Sequence, residues 1–199
     1  MNNKENYEKY MQIFLQENAK LNLISKNEEK FLWEKHIFDS LSAELFFKKY
    51  DIKLKGKKLL DIGTGGGFPA IPLAIKYPEL SVTALDSIQK KLKAIDNIKT
   101  ELGLTNLTTL CARAESLQEK FDIITSRAVA TMDKISFYAL PLLKKGGYFV
   151  AYKSKKANEE LELASSTINR LGGEVVDIIE YSLPLEELYE RNLIIIRRK

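Results

Sequence analysis

The chain has 199 residues, a length that suits one domain with at most a small extension. Hydrophobic residues make up 45% of it, enough for a sizeable core, and no apolar run reaches the roughly 18 residues of a membrane span. A single cysteine (Cys111) excludes an internal disulfide, and a single histidine (His36) beside it argues against a zinc centre or a histidine-based hydrolase triad. The net charge of +4 permits a nucleic-acid partner without requiring one. The first fifty residues balance eight lysines against eight acids, so the basic excess lies beyond them. The start, MNNKENYEKYMQ, is polar and lacks a signal-peptide core, so a cytoplasmic, reducing location is the expectation.

Residues 3–20 read as an amphipathic helix, with Tyr7, Met11, Phe14 and Leu21 at helical spacing. The short apolar segment 21–25 ends at Ser25, a candidate N-cap. A second helix is expected over about 28–36 and a third over 36–47. These first fifty residues show no strand alternation and are too few for a robust domain of their own, so they should pack on the main body. From Lys57 onward strands and helices alternate. Strands are expected at 57–62, 81–86, 107–111, 121–126 and 148–152, with helices at about 68–77, 88–102, 131–143 and 156–171. Gly103 is placed to close one helix, Gly146–Gly147 another and Gly172–Gly173 the last. Two final strands, 174–181 and 193–198, have no helix between them, so one of them must run antiparallel. The expected layout is a helical extension over 1–53 and a Rossmann-like α/β domain over 54–199. Its seven-stranded sheet is mostly parallel, with one antiparallel strand.

The segment Lys58–Ala74, KLLDIGTGGGFPAIPLA, is the centre of this pattern: a buried strand, a glycine turn and a helix start. A dinucleotide fingerprint needs glycine at the sixth position from Gly63, where Phe68 stands, and no Gly-Lys-Ser/Thr follows for a phosphate loop. What stands here is Asp61-x-Gly63-x-Gly65-x-Gly67, which resembles the signature of class I S-adenosylmethionine-dependent methyltransferases. An acid before the turn repels a pyrophosphate but suits a ligand carrying a sulfonium and an ammonium. Asp86 follows 23 positions after Gly63, at the end of the second strand, where nucleotide-binding folds place an acceptor for ribose hydroxyls. Its plainer reading is a cap on the helix at 88–102. Ala114 and Glu115 follow the third strand, where methyltransferases meet the adenine ring; the plainer reading of Glu115 is a turn cap.

The acceptor is approached by exclusion. No Pro-Pro element follows the fourth strand, which runs on as Ile124-Thr125-Ser126-Arg127-Ala128, so amino-directed DNA chemistry is disfavoured. Cys111, preceded by Leu110, reads as a small buried hydrophobe rather than a C5-pyrimidine nucleophile. General acid–base groups are scarce. An acceptor needing no deprotonation, such as the N7 lone pair of guanine, fits that scarcity, and proximity and orientation are then the main catalytic contribution.

Several stretches together resemble the ribosomal RNA small subunit methyltransferase G family: Asn22-Leu23-Ile24-Ser25, Lys35-His36-Ile37-Phe38-Asp39-Ser40-Leu41 and the turn from Asp61 to Ala74. To these are added Leu85-Asp86-Ser87, Arg113-Ala114-Glu115, Ser126 to Ala130 and Ala151-Tyr152-Lys153. The turn continuing as Phe68-Pro69-x-x-Pro72 is the most specific of them. The resemblance spans about residue 20 to the C-terminus. It implies methyl transfer from S-adenosyl-L-methionine to N7 of a guanine in bacterial 16S rRNA. It also implies cofactor contacts at Gly63, Phe68, Ala114, Glu115 and Arg127, to which Gly65 and Asp86 are added from the turn and strand pattern. Ala70 and Ser154 stand where the family usually has glycine.

Three residues are candidate substrate contacts, and each has a structural reading beside it. Asn22 is a turn residue or a contact. His36 lines the mouth of the site or, with Asp39 on its helix face, docks the extension. Lys153 belongs to a phosphate-binding rim with Lys144, Lys145, Lys155 and Lys156, or to a solvated face. Arg127 is likewise a cofactor contact or a salt-bridge partner. No catalytic residue and no metal ligand is assigned. The expected partner is 16S rRNA in the small ribosomal subunit or its assembly intermediate, with the enzyme a monomer off the membrane. Two other readings stand beside this one: a small-molecule methyltransferase of the same fold, and a non-catalytic RNA-binding module.

Overall fold

The computed structural model describes residues 3–155 and 157–199; Lys156, one of the candidate rim lysines, lies outside them. The chain begins with helix α1 (Asn3–Leu21), a short α2 (Lys26–Glu29), a wide π-type helical stretch (Leu32–Phe38), α3 (Asp39–Leu41) and α4 (Ala43–Lys49). The sheet and its helices follow: β1 (Lys58–Ile62), α5 (Ala70–Lys76), β2 (Ser81–Asp86), α6 (Gln89–Leu102), β3 (Leu107–Cys111) and β4 (Phe121–Arg127). Then come α7 (Met132–Ala139), β5 (Leu143–Ser154), α8 (Ala157–Arg170), β6 (Gly173–Leu183) and β7 (Tyr189–Arg198).

The seven strands are ordered β3-β2-β1-β4-β5-β7-β6. β1 to β5 are mutually parallel, and β7 inserts between β5 and β6, antiparallel to both. This follows from connection length: an α-helix carries each crossover up to β6 except β3 to β4, which is joined by a loop with one 3-10 turn (Ala114–Ser116), whereas Leu183 to Tyr189 is a short link that allows only antiparallel pairing. β1 is buried from Leu59 to Ile62 on both faces, as a central parallel strand must be.

Two apolar layers cover the sheet. One collects Tyr10 and Phe14 of α1, Phe46 of α4, Ile71 of α5 and Ile95 of α6; the other collects Ile135 of α7 and Ile168 of α8. The first helices thus share a core with the sheet. Phe14 is wholly buried against Phe68, with ring centroids 5.0 Å apart. A fully buried side chain of this size contributes about 1.5–3 kcal/mol. Tyr7 donates to the Pro72 carbonyl at 3.1 Å and Tyr152 to the Ser40 carbonyl at 2.6 Å, fixing the extension at both sides.

Several boundaries differ from the sequence reading, among them the starts of β5 at Leu143 rather than 148 and of β7 at Tyr189 rather than 193. The helices expected at 28–36 and 36–47 are broken into shorter pieces. Ser40 and Ser42 donate back to the carbonyls of His36 and Phe38, competing with the regular ladder. The helix expected at 131–143 stops at Ala139, because Pro141 has no N–H to continue it. Gly146 and Gly147 do not cap that helix but lie within β5, whose pairing with β4 shifts register between Phe121 and Ile123. A side chain at Gly147 would meet the Asp122 carbonyl at 2.8 Å. Gly103 does close α6 as expected, at φ 65°, with the Leu104 N–H donating to the Lys99 carbonyl at 3.0 Å.

Candidate functional site

A cleft of about 780 Å³ opens across the C-terminal ends of β1 to β4. That is the place and size of a ligand site in an open α/β sheet. Its second wall comes from the extension: Asn22 to Ser25, Glu28 and His36. The glycine turn forms the floor. The Thr64 N–H donates to the Leu85 carbonyl at 2.9 Å and the Gly65 N–H to Asp86 Oδ2 at 3.0 Å, so the turn is laced to the tip of β2. Asp86 Oδ1 accepts from the Ile88 N–H at 2.9 Å, so the carboxylate orders the turn that leads into α6 while bordering the cleft. Gly63 adopts φ 69°, and a Cβ there would stand 2.5 Å from a Val129 methyl; only glycine lets the turn and the loop after β4 close on each other.

At the other end of the cleft the extension and the sheet meet through charge. Arg127, at the tip of β4, donates from Nη1 to the Lys35 carbonyl and to Asp39 Oδ2, both at 2.9 Å. Its Nη2 lies 2.9 Å from His36 Nδ1. The guanidinium lies 5.2 Å from the Phe68 ring centroid, and the His36 ring is 5.0 Å from the same ring. Asp39 is buried and accepts on its far side from Arg191 and from the Tyr181 hydroxyl, the latter at 2.6 Å. One carboxylate of the extension thus gathers the ends of β4, β6 and β7. Burial, reinforced by the negative charge of Asp39, pushes the Tyr181 phenol far up. Burial, then the adjacent Arg127, push the His36 imidazole down to about 4, so it is neutral. Because Arg127 donates to Nδ1, the ring proton sits on Nε2.

Gly63, Gly65, Phe68, Asp86, Ala114, Glu115 and Arg127 all border this one cleft, as do Asn22 and His36. Asn22 takes φ 50° and its N–H donates to the Asn18 carbonyl at the end of α1, so it is a turn residue as well as a wall residue. Lys153 is not brought to the cleft. Its ammonium donates to the Ala130 carbonyl at 2.7 Å and pairs with Glu160 at 2.6 Å, which leaves no free charge for a phosphate rim. Asp61 is also absent from the lining. It is wholly buried between β1 and β4, accepting from the Thr125 hydroxyl at 2.9 Å, and burial pushes its carboxyl up to about 7. It therefore offers no exposed charge to a sulfonium or ammonium. Cys111, read as buried, is exposed.

Three features of the site had no reading in the sequence. Ala128 sits at φ 56°, a conformation that costs roughly 1–2 kcal/mol in a non-glycine residue, and it borders the cleft beside Arg127. Val129 packs on Gly63. Glu28 faces the cleft with its Oε2 accepting from the Ser25 hydroxyl at 3.1 Å. The Ser-x-x-Glu spacing of a capping box was the available signal for Glu28.

Known proteins share this fold. A crystal structure of magnesium protoporphyrin IX methyltransferase from Synechocystis PCC 6803 with bound S-adenosylmethionine superposes with a TM-score of 0.66 at 16% identity. The match covers 88% of this chain and 86% of that one, and the shared fold is that of the class I methyltransferases. Proteins named ribosomal RNA small subunit methyltransferase G are far closer in sequence. The one from Staphylococcus epidermidis is 42% identical over 98% of this chain and 82% of its own length. The one from Lachnoclostridium phytofermentans is 41% identical over 98% and 81%. Residues 3–193 match the profile of the family described as rRNA small subunit methyltransferase G. With that span matched and the glycine turn, Asp86 and Arg127 gathered in one cleft, the chain belongs to the rRNA small subunit methyltransferase G family.

Proposed function

We propose that this protein transfers a methyl group from S-adenosyl-L-methionine to N7 of a guanine in 16S rRNA, acting in the cytoplasm as a monomer. Its substrate is the small ribosomal subunit or an intermediate in its assembly. The observation that carries the reading is the convergence of the strand tips on one cleft in a chain of this family.

The cleft fits the cofactor. The glycine turn allows close approach of a ligand to the backbone, and Asp86 retains acceptor lone pairs beside the two N–H groups it already receives. In this reading Gly63, Gly65 and Phe68 hold the methionine end, Asp86 the ribose, and Ala114 with Glu115 the adenine. Arg127 keeps N–H groups in excess of its three contacts. The bound cofactor supplies a methyl group activated by its sulfonium. The protein's own groups orient the acceptor and exclude water. His36 is neutral with its Nδ1 engaged by Arg127, and guanine N7 needs no base. Residues 1–53 and 54–199 then work as one unit, since the extension provides a wall of the site.

Incubation with methyl-labelled cofactor and small subunits lacking the modification tests the proposal. Label should appear in 16S rRNA as 7-methylguanosine. Absence of label there, with cofactor binding intact by calorimetry, rejects the substrate assignment.

A further inference from the structure

The cleft wall holds a polar pair that the methyl-transfer reading leaves unused. His36 is buried, and its Nε2 has no hydrogen-bond partner among the described residues. Since Arg127 occupies Nδ1, this nitrogen carries the ring proton, and the Phe68 ring packs at a tilt against the imidazole with centroids 5.0 Å apart. A buried donor without an acceptor is destabilising, and a ligand that supplies the acceptor recovers that cost. Glu28 Oε1 lies 3.9 Å from that same Nε2, and the Ser25 hydroxyl steadies the other carboxylate oxygen. A donor and an acceptor therefore stand side by side on two residues that line the cleft, the His36 nitrogen itself buried behind the exposed Glu28 side chain.

We propose that His36 and Glu28 read the Watson–Crick edge of the acceptor guanine. His36 Nε2–H donates to O6, and the Glu28 carboxylate accepts from N1–H and the N2 amino group. This rests on the guanine-methylation reading above. Adenine presents the reverse order, a donor at N6 and an acceptor at N1, and so leaves both protein groups mispaired. Enzymes that act on an extruded base commonly read this edge. The contact leaves N7 free, because N7 lies on the other edge of the purine. It also acts in the transition state: methylation at N7 makes the ring cationic and its N1–H more acidic, so the bond to Glu28 strengthens as the reaction proceeds. Glu28 is suited to an incoming macromolecule, because its side chain is 43% exposed at the mouth of the cleft. The same donor–acceptor pair would also complement the amino-acid end of the cofactor, and the test separates the two.

The test compares wild type with Glu28→Gln, an exposed near-isosteric change, and with His36→Phe, which removes the donor and keeps a ring on Phe68. Cofactor affinity is measured by calorimetry, and kcat/KM is measured on small subunits carrying guanosine or inosine at the acceptor position. Each variant should lose about 10- to 100-fold in kcat/KM while cofactor affinity stays within about threefold. Inosine, which lacks the N2 amino group, should slow wild type about tenfold and Glu28→Gln by less than about threefold. Parallel loss of cofactor affinity in both variants overturns the inference and assigns the pair to the cofactor. Unimpaired variants beside an active wild type overturn it alone. A wild type that leaves 16S rRNA unlabelled overturns the function reading and this inference with it.

Discussion

Asp39 and Arg127 are 88 positions apart in the chain and 2.9 Å apart in the fold. Asp39 is 1% exposed and bonded to two arginines and a tyrosine, so the extension is bolted to the sheet by one buried carboxylate. The same contact aims Arg127 into the cleft and, through Arg127, sets the tautomer of His36.

Asp39→Ala should therefore leave Arg127 and Arg191 buried without their anion. Removing one partner of a buried pair costs about 3–5 kcal/mol. Urea unfolding should show a loss of that order, together with weaker cofactor binding as Arg127 loses its anchor. A loss below about 1 kcal/mol would show that the extension is held by its apolar contacts alone.

Two buried groups give opposite pH dependences. Asp61 is raised from 3.8 to about 7 by burial, so the folded state holds its proton more tightly than the unfolded chain. Its contribution is complete below about pH 4 and is lost as pH rises to about 7. His36 is lowered from 6.5 to about 4, so its contribution is complete above about pH 6.5 and is lost as pH falls toward 4. In wild type the two slopes offset each other between these values. Relative to wild type, Asp61→Asn should gain stability as pH rises from 4 to 7. His36→Gln should lose relative stability as pH rises from 4 to 6.5. Each effect amounts to a few kcal/mol, because a tenfold difference in proton affinity between folded and unfolded chain is worth about 1.4 kcal/mol. Urea titrations across this range read both signs, and flat difference curves would refute them.

Gly63→Ala should impair the site through two separable faults. The new Cβ meets Val129, and the left-handed backbone at φ 69° disfavours any side chain. Adding Val129→Ala should relieve the clash but keep a backbone penalty of about 1–2 kcal/mol. Calorimetry with the cofactor and thermal melting should show partial recovery in the double variant. Full recovery would mean that the backbone conformation is not required.

Lys153→Met should leave the salt dependence of RNA binding unchanged, because its ammonium is already engaged by Ala130 and Glu160. A phosphate contact would instead lower the slope by about one counterion. The effect should appear in the loop from Ala128 to Thr131. Glu160 also accepts from the Met132 N–H at the start of α7, so that loop loses an anchor. Hydrogen exchange should rise there first.

Local chemistry was enough for the sequence to determine the sheet order class, the glycine turn and the closure of α6 at Gly103. Apolar periodicity, crossover length and glycine's freedom act within a few residues, so they are written in neighbouring positions. Local chemistry also placed Asp86 at a strand tip. It misjudged Asp61 and Lys153, because whether a charge faces a cleft or a partner depends on residues far along the chain. Thr125 lies 64 positions from Asp61, and Ala130 lies 23 from Lys153. It also placed Gly146 and Gly147 at a helix end, where β4–β5 pairing instead absorbed them into a strand. Only the tertiary structure decided that Asp39 would bear two arginines, that Glu28 would stand beside an unpaired His36 N–H, and that Val129 would close on Gly63. Such encounters arise from how the extension packs across the strand ends. That packing is set by the whole buried core, not by the spacing of any one motif.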